Sequence, residues 1–107
     1  MTISPAELTL RDLRNQGYRA QVVEKWNPHA RVRQDLFGII DVLAIGRNET
    51  IAVQSTTKHN LKARIKKIAE SESIGDIREA GWTVLVHGWH QPKGKGTRWQ
   101  LVEVDVS

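Results

Sequence analysis

The amino-acid sequence predicts an α/β domain: a mixed central sheet flanked by helices. Three observations carry that expectation. Two neighbouring apolar runs, residues 36–45 and 51–56, are joined by Gly46, Arg47, Asn48 and Glu49, a turn-forming group. A basic segment with helical spacing begins near Lys58, and a third apolar run covers residues 82–89. A meander of strands followed by a helical crossover to further strands gives a mixed sheet. At 107 residues, the chain is expected to form one domain, residues 1–107, around a single modest core.

Each element has its own local signature. Ser4, Pro5 and Glu7 read as a helix start, with Ser4 as N-cap, Pro5 in the first turn and Glu7 closing a capping box. Ala6, Leu10 and Leu13 form the buried stripe, and Gly17 ends the helix in the left-handed conformation. Residues 18–26 alternate as a strand, and Asn27, Pro28 and His29 begin a turn. The run 36–45 is apolar on both alternating faces and reads as a central strand covered on both sides. After the hairpin at 46–49 comes a strand over 50–56. Residues 58–73 read as a helix whose stripe is Leu61, Ile65, Ile68 and Ala69, with Gly75 breaking it. A short helical segment over 74–80, a strand over 82–89, a basic loop over 91–96 and an added C-terminal strand over 97–106 complete the order α-β-β-β-α-β-β.

Composition narrows the function classes. There is no cysteine, which excludes a disulfide framework, a cysteine-ligated zinc site and a thiol nucleophile. No apolar stretch approaches membrane-spanning length, and no signal-like segment opens the chain, so a cytoplasmic protein without membrane contact is expected. The net charge of +4 and a pI near 9.8 favour a polyanionic partner.

Asp41 is the one charge in an apolar run, and an ionised carboxylate there is costly without compensation. Side chains alternate along a strand, so Gln54 and Thr56 share a face, and hairpin pairing brings Asp41 near Gln54 on that face. Asp41 through its carboxylate, Gln54 through its amide oxygen and Ser55 through its backbone carbonyl would suit a hard cation such as Mg²⁺ or Mn²⁺. Such an ion polarises a phosphodiester and lowers the pKa of bound water, with a nearby lysine stabilising developing charge. Plainer readings stand beside this one: Asp41 as a strand residue hydrogen-bonded to backbone, and Gln54 as a satisfied core amide.

Asp41 at the end of the 35–41 segment, then Ala52, Val53, Gln54, Ser55 and Thr56, then a lysine-rich helix, resemble the PD-(D/E)XK nuclease superfamily. The small Holliday-junction-resolvase-like and phage-type members are the most similar. The resemblance implies a restriction-endonuclease-like α-β-β-β-α-β core and a divalent-metal-dependent endonuclease of branched or structured DNA, working as a homodimer. It implies metal ligation by Asp41, Gln54 and Ser55, with Glu7 in the first helix as a further acidic ligand, although the capping box accounts for Glu7 without metal. The sequence departs from the motif at two positions. Gln54 stands where an acidic residue is usual and Thr56 where lysine is usual, so Lys58 or Lys62 would have to reach in, with Lys58 preferred as the catalytic lysine. An inactive relative that binds nucleic acid or a protein partner is the alternative.

The remaining candidates concern nucleic-acid contact. Lys58, Lys62, Lys66 and Lys67, with Arg64, on the helix and Lys93, Lys95 and Arg98 in the loop and after it could border one cleft and face phosphates in a sequence-independent, salt-sensitive way, a solvated helix face being the plainer reading. His59 is the one histidine with a candidate phosphate or water contact. Trp26, Trp82, Trp89 and Trp99 read mostly as packing residues of a small core, with Trp89 or Trp99 the better candidates for stacking on an exposed base. Six residues of strand span roughly 20 Å, so Asp35 is expected to stay away from Asp41 unless the chain bends near Gly38.

Overall fold

The computed structural model describes residues 3–92 and 98–107. Its centre is a five-stranded mixed sheet in the order β1-β4-β5-β6-β7. These strands are β1 (Arg19–Val22), β4 (Val42–Gly46), β5 (Glu49–Thr57), β6 (Thr83–His90) and β7 (Gln100–Asp105). β1, β4 and β5 form an antiparallel meander, β6 lies parallel to β5, and β7 returns antiparallel to β6. A parallel neighbour needs a crossover. The chain supplies it with a turn of 3-10 helix (Lys58–Asn60), α2 (Leu61–Ala69) and α3 (Ile74–Glu79). The α/β class, the helix-flanked mixed sheet and the added final strand thus follow the order expected from the sequence. Among the described residues no helix is long and apolar enough to cross a membrane.

Helix α1 (Pro5–Asn15) starts where Ser4 Oγ accepts from the Glu7 backbone N–H at 3.2 Å. Its Leu10 and Leu13 pack on one face of the sheet with Val42, Ala44, Ile51, Val53 and Leu85. The alternate residues Ala52, Val84 and Val86 face the other way, onto Ile68 of α2 and Ile74 and Ile77 of α3. The period of two along β5 and β6 therefore divides the core into two layers. The β4–β5 turn is two residues long, because Gly46 pairs with Glu49. Arg47 and Asn48 both take positive φ, 51° and 61°, as a type I′ hairpin requires.

Four sequence expectations change. The strand expected over 18–26 is two: β1, and then β2 (Lys25–Asn27), which leaves the sheet to pair with β3 (Val32–Gln34) in a separate hairpin. The expected strand 36–45 begins only at Val42. Before it the chain doubles back, with Phe37 at φ 54°, Gly38 at φ 77° and a bridge between Leu36 and Ile40. Apolar residues fill this turn because Ile39 and Ile40 are buried against α2 and α3; burial, rather than strand pairing, explains the run. The long helix over 58–73 is the 3-10 turn plus α2, and it stops at Ala69. Gly75 does not break it but lies inside α3.

Candidate functional site

The turn at 35–40 creates the site. It carries Asp35 back toward β5, and the two sheet strands bring Asp41 and Gln54 together. Val42 pairs with Val53, and the Asp41 N–H donates to the Val53 carbonyl at 3.0 Å. One step further along this register places Asp41 opposite Gln54, on the face covered by α2. Both are buried, at 6% and 1% exposure.

Gln54 is held on every side. Its Nε2 donates to Asp35 Oδ2 at 3.1 Å and to the Ile39 carbonyl at 2.9 Å, while its Oε1 accepts from Arg64 Nη1 at 2.9 Å. Two acceptors on one side and a guanidinium on the other fix the amide in one orientation. Lys67 Nζ lies 3.7 Å from Asp35 Oδ2, and Arg33 lies 3.7 Å from Glu24. These residues border an open cleft of about 460 Å³. Three cations meet two carboxylates along its wall.

Asp41 turns both carboxylate oxygens to the Ser55 backbone N–H, at 3.1 and 3.2 Å. Burial raises its pKa from 3.8 to about 7. The Ser55 hydrogen bond opposes that rise, Asp35 and Glu24 add repulsion, and Arg64 offsets part of it. The carboxylate is thus short of positive charge, which is the condition a bound cation or a proton relieves.

Ser55 is also fastened from the opposite face. Its Oγ lies 2.8 Å from Thr9 Oγ1, which accepts from Trp89 Nε1 at 3.0 Å and lies 3.0 Å from His87 Nδ1. His87 Nε2 meets Glu103 Oε2 at 2.8 Å. Burial holds the His87 imidazole below its ordinary pKa, against the pull of Glu103. A neutral ring that donates Nε2–H to Glu103 leaves Nδ1 to accept from the Thr9 hydroxyl. The Ser55 hydroxyl then donates to Thr9, and every member of the buried chain is satisfied.

The other sequence candidates lie around this centre rather than in it. Glu7 is paired with Arg11 at 3.8 Å. It stands two positions before Thr9, about 200° round α1 from the face that reaches Ser55. Lys58 opens the 3-10 turn over β6, where a Cβ on Gly88 would lie 3.2 Å from its Cα. Thr56 is buried, and His59, Lys62, Lys66 and Arg98 are exposed, with Lys66 paired to Glu70 at 3.8 Å. Lys93 and Lys95 lie outside the described residues. The cations that reach the Asp41–Gln54 face are Arg64 and Lys67, both on the side of α2 that the helical stripe placed away from the core. Asp35, Arg33 and Glu24 join them because of the bend and the hairpin. Trp89 is 7% exposed and tied to Thr9, so it offers no stacking surface, and Trp99 is half-buried.

The donor set does not fit a hard cation in this arrangement. The Gln54 oxygen faces a guanidinium and the Asp41 oxygens face a peptide N–H. Among the described residues no three His, Cys, Asp or Glu side chains are grouped to hold a metal ion. Comparison with family models, curated proteins and solved structures gives no match.

Proposed function

We propose that this protein binds nucleic acid, DNA first, through the cleft beside Asp41 and Gln54, on a nuclease-like fold whose cation position is taken by Arg64. The observation that carries the reading is the contact of Arg64 Nη1 with Gln54 Oε1 at 2.9 Å. It puts a fixed positive charge where an acidic motif would otherwise call for a metal ion. Arg33 and Lys67 extend that charge along the cleft, and phosphate oxygens are the partner such a wall suits. The overall charge of +4 favours the same class of partner.

A second reading is metal-dependent DNA cleavage, and Asp41 is the observation that favours it. A buried carboxylate with a pKa near 7 is costly to keep, and perturbed groups of this kind concentrate at functional sites. That reading requires Arg64 to leave Gln54, and cutting both strands of a junction would call for two copies of the chain.

One experiment separates them. Labelled linear, single-stranded, flapped and four-way-junction DNA is offered with and without Mg²⁺ or Mn²⁺, beside Asp41→Ala. Salt-sensitive binding without cutting in any metal supports the binding protein. Metal-dependent cutting lost in Asp41→Ala replaces it with the nuclease. Absence of binding to every substrate sinks both.

A further inference from the structure

The β2–β3 hairpin stands outside the main sheet, and what it displays is unusual for a structural connector. Trp26 is 52% exposed. It pairs across the hairpin with Arg33, and directly opposed residues of an antiparallel pair share a face. Arg33 in turn lines the cleft with Arg64 and Lys67. Trp26 is therefore placed on the same hairpin face as Arg33, the residue through which the hairpin joins the cleft wall. Lys25 and Arg31 are exposed on the same hairpin. Its tip is fixed by Asn27 Oδ1, which accepts from the backbone N–H groups of His29 at 3.0 Å and Ala30 at 3.2 Å. A presented indole on an ordered arm, with a cation beside it on the same face, is the combination that grips single strands: aromatic faces take bases and cations follow the backbone.

We infer that Trp26 is a stacking platform for an unpaired base of a DNA strand whose phosphates lie along Arg33, Arg64 and Lys67. This inference rests on the proposed nucleic-acid reading and adds its substrate class, namely single-stranded or locally unpaired DNA. In paired duplex the base faces are already stacked on one another, so the arm has nothing to hold. A flap, gap or junction supplies the base.

The test compares oligo(dT) with an abasic deoxyribose-phosphate oligomer of the same length and charge, using the full chain. Wild-type protein is expected to prefer oligo(dT), and Trp26→Ala to weaken oligo(dT) binding by about tenfold or more while leaving the abasic oligomer unchanged. Trp26→Phe keeps an aromatic face and should retain most of the preference. Because Trp26 is exposed, both variants should hold the wild-type unfolding midpoint. Equal oligo(dT) affinity in wild type and Trp26→Ala overturns the stacking role while leaving the cleft reading intact. A parallel loss on both oligomers also overturns it, since that pattern belongs to a phosphate contact. No binding of either oligomer by wild type overturns the cleft reading and the stacking role together.

Discussion

The two carboxylate oxygens of Asp41 share one donor, the Ser55 backbone N–H, at 3.1 and 3.2 Å. One peptide N–H is too little to hold a buried anion. The pKa near 7 records the difference as an energetic cost carried by the folded state. Below pH 4 the carboxyl is neutral in folded and unfolded chains alike. Between pH 4 and 7 the unfolded chain ionises while the folded one holds its proton, so this group's contribution to stability falls as pH rises. Above pH 7 the loss is complete.

Asp41→Asn keeps an acceptor for Ser55 and removes the charge. Its stability relative to wild type should rise between pH 4 and pH 8 by roughly 4 kcal/mol. Urea unfolding at the two pH values measures this. An unchanged difference would show that Asp41 is solvated or already paired with a cation.

Gln54→Glu sets a carboxylate against Asp35 Oδ2 and the Ile39 carbonyl, where Nε2 now donates. Two donors are lost inside the core, which outweighs a stronger pair with Arg64. The variant should lose roughly 2–3 kcal/mol at pH 8, read by the urea midpoint. Added Mg²⁺ should restore part of the loss if the altered site takes up the ion.

Thr9 joins Ser55, His87 and Trp89 through one hydroxyl. Thr9→Val fills the same space and leaves three buried polar groups without that partner. A loss of roughly 2–4 kcal/mol is expected, against less than about 1 kcal/mol for Thr9→Ser. Equal losses in the two variants would mean that the methyl, not the hydroxyl, matters at this position.

His87 supplies a trend opposite in sign to that of Asp41. Its folded pKa is lowered, so below about pH 6.5 the unfolded chain takes up a proton that the folded chain refuses. Stability from this group is fully present above pH 6.5 and declines as pH falls. His87→Gln should flatten the decline between pH 6.5 and 5, followed by thermal unfolding across that range.

Lys67 and Arg33 face the cleft but are each paired with a carboxylate. If phosphates compete for them, Lys67→Ala should lower DNA affinity for all sequences and reduce the slope of log K against log salt by about one. An unchanged slope would place the strand elsewhere.

Much of this arrangement was legible in the residues. Alternation put Asp41 and Gln54 on one face, the Gly46–Glu49 turn fixed their register, and the Ser4 cap set the start of α1. The bend at Phe37 and Gly38 was not legible. Phe37 adopts a positive φ of 54° that its own preferences oppose, and tertiary burial of Ile39 and Ile40 decides the matter. That bend is why Asp35 reaches Gln54 when strand geometry kept it away. Arg64 and Lys67 were legible as members of the basic helix face, but their reach to Gln54 and Asp35 was not, because helical position locates a Cα whereas long side chains reach back across a helix flank. The tryptophans sorted by strand identity: Trp89 points inward from a central strand, and Trp26 sits on a two-stranded hairpin with no layer to cover it.

The chain of bonds from Glu103 through His87 to Thr9 has a consequence for synthesis. Thr9 and His87 are 78 positions apart, so α1 leaves the ribosome long before its polar partners on β5 and β6. Until those strands arrive, its inner face holds a hydroxyl bound only by water beside leucines already seeking cover. Contacts of such long range fold slowly. The nascent helix should therefore dock late and all at once, leaving a window in which a chaperone, rather than the sheet, is its natural neighbour.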